Sequence, residues 1–181
     1  AYQHSTSCNG KVGGGIEICS GASPVIDYNI IRNNLGRHRG GGVMLHGGCD
    51  GTIINRNLII NNSVPQGWGG GDGGAGVCIQ SSGVVFTNNT VYGNHDSGNY
   101  GHGSGLYISS LNGVFENNII RGNVGDPQIY FYSQSINFNY SNIEQESIIG
   151  DGNINLPANF VDVVINNFDL DYDSPCINMG N

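Results

Sequence analysis

The sequence predicts an all-β fold: a right-handed, single-stranded parallel β-helix of about five to six coils, followed by an irregular C-terminal capping segment. Three observations carry this. The first is a recurring nine-residue segment: Ile26–Asn34 (IDYNIIRNN), Ile54–Asn62 (INRNLIINN), Phe86–Asn94 (FTNNTVYGN) and Phe115–Asn123 (FENNIIRGN). Each reads apolar, two variable, Asn, one variable, apolar, two variable, Asn. A fifth copy (Phe138, Ser141, Ile143, Glu146) keeps both apolar positions and loses both asparagines. The copies start at 26, 54, 86, 115 and 138, a period in the range that marks stacked supersecondary units. The second is composition: 31 Gly and abundant Asn, both poor in helix interiors and good in turns. The third is a recurring short period-2 strand, preceded by glycine in four copies and by Pro127-Gln128 in the fifth.

Residues 1–15 (AYQHSTSCNGKVGGG) lack apolar periodicity and read as an N-terminal extension or partial coil. Asn9 precedes Ile16 at about the interval that separates Asn34 from Val43, so the chain is expected to begin inside a coil and to be a mature or excised piece. Residues 16–145 are the coils. Their alternating strands are Ile16-Glu-Ile18, Val43-Met-Leu45, Val77-Cys-Ile79, Leu106-Tyr-Ile108 and Ile129-Tyr-Phe131, each with its middle residue facing out. Turns such as Gly47–Gly51, Ser81–Gly83 and Ser109–Gly113 lead back to the repeat. Stacking aligns Asn29, Asn57, Asn89 and Asn118 in one column and Asn34, Asn62, Asn94 and Asn123 in another. Stacked amides bond along the column, and Asn tolerates left-handed backbone. The parallel crossover sets the right hand. In residues 146–181 the repeat decays, and Phe160, Phe168, Leu170 and Ile177 are expected to cover the last coil's open edges.

Loops between the second Asn and the Gly-rich strand vary most, and function sits most easily there. They are Leu35–Gly42, Ser63–Gly74, His95–Gly105 and the short Val124–Pro127, all leaving one corner and therefore expected to line one edge of the rod. That edge collects Arg37, His38, Arg39, Trp68, Asp72, His95, Asp96, Tyr100 and His102.

A net charge of −8 and a single Lys give no basic face for nucleic acid. No apolar run reaches the length of a membrane helix, and no signal peptide is recognisable. Charged residues at 11% and scheduled apolar residues argue against disorder. The five cysteines (8, 19, 49, 78, 176) lack zinc-type spacing, and their odd number leaves at least one unpaired in a monomer. A disulfide among Cys8, Cys19 and Cys49 stays open, and Cys78 reads as a surface or core thiol.

The Asn-ended coils resemble the right-handed parallel β-helix repeat proteins, a superfamily that includes pectate lyases and other polysaccharide-processing enzymes. The ending Asp171-Tyr-Asp-Ser-Pro-Cys-Ile-Asn-Met-Gly180 is similar to the closing segment of many secreted bacterial β-helix proteins. The Phe-x-x-Asn units and Gly-Gly-apolar strands also resemble repeats of surface adhesins and autotransporter passengers. The resemblance covers residues 13–181 and implies an extracellular or cell-surface, secreted protein. Its enzyme branch implies cleavage of acidic polysaccharide, by an Arg or Lys base beside Ca²⁺ in the lyases or by clustered Asp in the hydrolases.

The outward strand positions offer little of that machinery. They read Glu17, Met44, Cys78, Tyr107, Tyr130, then Cys19, His46, Gln80, Ser109, Tyr132: one carboxylate, no Lys or Arg. The loop groups suit binding instead. Trp68 and Tyr100 present ring faces for a sugar or protein partner. Arg37 and Arg39 can grip a carboxylate, and His38, His95 and His102 on neighbouring loops offer imidazoles as metal ligands or general bases. No cofactor is expected. Calcium enters only through Asp169-x-Asp171-x-Asp173, half a calcium loop without its Gly and terminal Glu. The favoured function is a non-catalytic structural or adhesive module that binds a polysaccharide or cell-surface ligand or stacks end to end into a fibre. The alternative is a carbohydrate-binding or polysaccharide-lyase-like enzyme, or a fragment of one, working on acidic glycans along the loop edge; whether the chain catalyses is left open.

Overall fold

A computed structural model describes residues 13–19, 21–65, 73–97, 102–133 and 136–180. Among them every regular element is a short strand. The first turn holds β1 (Ile16–Ile18), β2 (Val25–Asp27) and β3 (Ile30–Arg32). The second holds β4 (Val43–Leu45), β5 (Ile53–Asn55), β6 (Leu58–Ile60) and β7 (Ser63–Val64), the third β8 (Val77–Ile79), β9 (Val84–Thr87), β10 (Thr90–Tyr92) and β11 (His95–Asp96). The fourth has β12 (Leu106–Ile108), β13 (Gly113–Glu116) and β14 (Ile119–Arg121). A fifth keeps β15 (Ile129–Phe131) and β16 (Asn142–Ile143), and β17 (Phe160–Asp162) and β18 (Asn167–Leu170) form an antiparallel hairpin.

Like strands stack parallel, one turn on the next, into sheets β1-β4-β8-β12-β15, β2-β5-β9-β13 and β3-β6-β10-β14-β16. The architecture is the expected parallel β-solenoid, slightly shorter than five to six coils. Four turns carry a strand in all three sheets, and in the fifth the middle sheet is reduced to one bridge, Glu116 with Asn139.

The two apolar positions of the repeat become two inward columns. Ile26, Ile54, Phe86 and Phe115 are register partners in the middle sheet, and Ile31, Ile59, Val91, Ile120 and Ile143 in the third. With the inward residues of the first sheet they make one core. The asparagines run beside these columns. Oδ1 of Asn57 accepts from the backbone N–H (3.0 Å) and Nδ2 (3.1 Å) of Asn29, and Asn89 and Asn118 repeat this for the next rungs. The second ladder joins Asn34, Asn62, Asn94 and Asn123 in the same way, its amide-to-amide bonds all 2.9 Å.

The asparagine ladders differ from expectation in one respect. Left-handed backbone belongs to the residue before each rung, not to the rung: Tyr28, Arg56, Asn88, Asn117 and Tyr140 at the first corner, Asn33, Asn61, Gly93 and Gly122 at the second. The ladder Asn turns its amide inward, where every donor finds an acceptor, while its predecessor bends the chain. Three rungs not anticipated continue the columns. Ser141 Oγ accepts from Asn118 N–H, Asn153 Oδ1 accepts from Ser141 N–H, and Gln128 Oε1 accepts from both nitrogens of Asn123.

Beside the second ladder runs a glycine column. A Cβ on Gly15, Gly42 or Gly76 would lie 2.6, 2.6 and 2.5 Å from the carbonyl oxygen of the next turn's Gly42, Gly76 and Gly105. Successive turns come too close there for any side chain.

The C-terminal segment divides its work. Residues 149–154 hydrogen-bond onto the fifth turn (Phe138 N–H to Ile149 O, Tyr140 N–H to Asp151 O, Ile143 N–H to Ile154 O) and cover its edge. Phe160 and Phe168, expected on that end, pack on the flank instead. Their rings meet Tyr92 of the third turn edge-on at 5.6 and 5.3 Å. Tyr92 is the large outward aromatic of its sheet, and the hairpin covers it.

On the middle sheet's rim Arg56 binds both oxygens of Asp27 and stacks 4.0 Å from the Tyr28 ring. The Arg56 hydrogen bond holds the Asp27 carboxyl below its ordinary 3.8. A depressed folded-state pKa means the contribution is present above 3.8 and is lost as pH falls through the lowered value. Melts of wild type and Asp27→Asn across acid pH are expected to converge on acidification. A gap that stays constant with pH would refute the linkage. Exposure keeps it small.

Candidate functional site

The outward face of the sheet β1-β4-β8-β12-β15 is where the loops and the strands meet. Register puts Glu17, Met44, Cys78, Tyr107 and Tyr130 in one column. Backbone bonds from His46, Gln80, Ser109 and Tyr132 to Ile18, Leu45, Ile79 and Ile108 stack a second column beside it.

Although they point outward, Met44, Cys78 and Tyr107 are buried and form a small cluster of their own. The described ends of the loops expected to line an edge of the rod lie over this face. Arg39 bridges to Gly73, and Gly73 N–H and Gly74 N–H donate to the carbonyls of His38 and His102. The loops thus stack in register like the strands below them. Glycines 13, 40, 74 and 103 press onto the face so closely that a Cβ would reach Glu17, Met44, Tyr107 and the Tyr130 backbone at 3.0 Å or less.

A cluster of rings around one guanidinium results. The Arg39 guanidinium lies 4.8 Å from the Tyr107 ring centre, in cation–π range. Tyr107 stacks on Tyr130 at 5.5 Å and tilts toward Tyr132 at 6.2 Å. The His102 ring stands 4.9 Å from Tyr130 and 6.1 Å from Tyr107. Burial raises the Tyr107 phenol and pushes the Cys78 thiol up to about 12, Arg39 opposing both. Cys78 is therefore an inert thiol. Tyr130 is half-buried and Tyr132 exposed, so the far end of the ladder offers ring surface to solvent.

Of the loop residues that the sequence singles out, the structure brings Arg39 and His102 together. His38 contributes its backbone carbonyl to the loop stack, Arg37 is exposed, and His95 is exposed in β11, where it pairs with Ser63 of β7. Trp68, Asp72 and Tyr100 lie outside the described residues. Tyr107, Tyr130 and Tyr132 are legible as outward positions, yet only their stacking under the loops makes them a surface.

A second cluster sits at the first-turn end of the same face. His46 Nε2 is 2.8 Å from Glu17 Oε1. Cys19, outward beside Glu17, is disulfide-bonded, while Cys49, Cys78 and Cys176 are free thiols. Glu17, Cys19 and His46 are the only three potential metal ligands among the described residues to bring their donor atoms together. Asp169, Asp171 and Asp173 are not so gathered.

A family model described as "Right handed beta helix region" matches residues 12–160. The chain belongs to the right-handed β-helix family. No curated protein and no solved structure matches it. Membership fixes the hand of the solenoid and covers most of the chain, while its activity has to be argued from the face just described. Among the described residues, no helix is long and apolar enough to cross a membrane.

Proposed function

We propose that this β-helix is a non-catalytic, extracellular adhesive module that holds a polysaccharide on the tyrosine face. The observation that carries the reading is the Tyr107–Tyr130–Tyr132 ladder with Arg39 and His102 laid against it. Tyr132 and the half-buried Tyr130 present ring surface that pyranose rings pack on, the buried Tyr107 backs them, and a guanidinium and imidazole nearby suit hydroxyls or a sugar carboxylate. Hydrolysis needs a pair of carboxylates across the scissile bond. On this face the described carboxylate is Glu17, already hydrogen-bonded to His46.

The disulfide at Cys19 supports an oxidising, extracellular compartment. Binding is favoured over end-to-end stacking because the ladders have a direction. Each Oδ1 accepts from the turn before it, so a stacked copy would have to present an open last turn to Asn29 and Asn34. That turn is already covered by residues 149–154.

Affinity electrophoresis or calorimetry with pectate, alginate and a neutral glucan tests the proposal. Tyr132→Ala is expected to weaken binding by about 1 to 3 kcal/mol, an aromatic platform's usual contribution. Arg39→Ala should weaken the acidic glycans and spare the neutral one. Unchanged binding in both variants, or the appearance of unsaturated products, would overturn it.

A further inference from the structure

We propose that Tyr132, Ser109, Gln80 and His46 form a stripe along the rod that holds an extended, uncharged β-1,4-linked glycan, one sugar unit to each turn. Resting on the reading of the tyrosine face as a glycan platform, the stripe accounts for the part of a polymer that the rings cannot hold. Exposed ring surface is confined to the fifth turn: Tyr132 is 68% exposed and Tyr130 half-buried, while Tyr107 in the turn before is 2% exposed.

The solenoid builds the stripe. His46, Gln80, Ser109 and Tyr132 each directly follow the first-sheet strand of their own turn, β4, β8, β12 and β15. Their backbone N–H groups donate to the preceding turn, His46 to Ile18 O at 3.0 Å and the others to Leu45, Ile79 and Ile108 O at 2.9 Å. Alternation turns each to the same side as the outward residue two positions earlier. Neighbouring turns lie about 4.8 Å apart, close to the advance of one unit in an extended β-1,4-linked hexose chain.

From the platform, a polymer finds this lane open and the one beside it closed. Met44, Cys78 and Tyr107 of the first column are at most 2% exposed, with Gly40 and Gly74 pressed against Met44 and Tyr107. His46, Gln80 and Ser109 are half-buried and Tyr132 is exposed, so the second column meets solvent at every turn. Its polar groups are also available. Among the described residues the Gln80 amide and the Ser109 hydroxyl have no hydrogen-bond partner. His46 keeps Nε2 on Glu17 Oε1 at 2.8 Å and has Nδ1 left over.

The side chains name the ligand class. A ring takes the apolar face of the first sugar, and a hydroxyl, an amide and an imidazole offer donors and acceptors to the hydroxyls of the next three. No Lys or Arg stands in the stripe, and Glu17 at its far end disfavours a sugar carboxylate there. A straight column also needs a straight chain, which a β-1,4 linkage supplies.

The test is calorimetry of the whole chain with β-1,4-gluco-oligosaccharides of one to six units. Affinity should climb with each unit up to four and then level off. Ser109→Ala is expected to weaken oligomers from the disaccharide upward by about two- to tenfold, and Gln80→Ala to do the same only from the trisaccharide upward. Tyr132→Ala should weaken every length. This order of onset is not something a folding defect produces, and the wild-type length profile reads the stripe even where a variant folds poorly. Affinity that stops growing after two units, or tetrasaccharide binding unchanged in both Gln80→Ala and Ser109→Ala, would overturn the stripe. The platform itself survives that result if Tyr132→Ala still weakens polysaccharide binding. A wild-type chain that binds no glycan removes platform and stripe together.

Discussion

Asn94→Ala should bring the solenoid close to unfolding. Oδ1 of Asn94 accepts from the backbone N–H of Asn62 at 3.0 Å and from its Nδ2 at 2.9 Å. Nδ2 of Asn94 donates to Ile59 O and to Asn123 Oδ1, both at 2.9 Å. All of this lies in the interior: Asn62 and Asn94 are 0% exposed. Alanine removes the hub and strands two donors of Asn62 with no water to replace it. At about 1 to 3 kcal/mol for each buried group left unsatisfied, the loss is on the order of 3 to 5 kcal/mol. A domain of this size has roughly 5 to 15 kcal/mol to lose. Asn29→Ala supplies the contrast. Asn29 is exposed at the start of its ladder, and toward the next rung it only donates. Its loss is expected to cost about 0.5 to 1.5 kcal/mol. Urea midpoints of the two variants should differ several-fold in displacement from wild type. Equal displacements would mean that burial of the ladder does not set its worth.

This contrast also explains which features are legible in the sequence and which are not. A periodic pattern is readable because every turn repeats the same local demand. Ile26, Ile54, Phe86 and Phe115 recur at one position, so their column follows from spacing alone. The aligned asparagines are readable for the same reason. Their neighbours are not. The residue before each rung is Tyr, Arg, Asn, Asn and Tyr at the first corner, a column with no shared side chain, because the demand there is on backbone torsion alone. Gln128, Ser141 and Asn153 escape because a ladder ends where the repeat fails. Ser141 holds the Asn position with a shorter side chain, and Gln128 and Asn153 reach the acceptor position from outside the repeat. The candidate site is half legible. Alternation sets Tyr107, Tyr130 and Tyr132 facing out. What buries Tyr107 is a stack of loops held by backbone bonds among Arg39, Gly73 and His102, and glycine-rich loops carry no periodic signal for that. The flank position of Phe160 and Phe168 depends on one partner, Tyr92, that nothing in the local sequence distinguishes.

Phe115→Ala should be as damaging as loss of a central rung, for a different reason. Phe115 is 1% exposed, with its ring 6.0 Å from Phe86 on one side and 4.8 Å from Phe138 on the other. The three form an aromatic column through the third, fourth and fifth turns. Replacing a buried Phe by Ala costs about 3 to 5 kcal/mol, and the upper part of the range applies where surroundings cannot collapse into the void. They cannot here. β13 is tied on one side to β9, and the neighbouring Asn118 rung fixes the corner that follows it. Phe115→Leu keeps most of the volume and is expected to cost less than half as much. Val114→Ala, one residue away and 44% exposed, should shift stability by no more than about 0.5 kcal/mol. The damage should also be local. Each turn of a solenoid touches only its neighbours, so amide exchange in Phe115→Ala should rise in β13, β14 and β16 before it rises in β2 and β3. Uniform acceleration along the whole rod would mean that the turns unfold as one unit, and that the aromatic column is not a local brace between them.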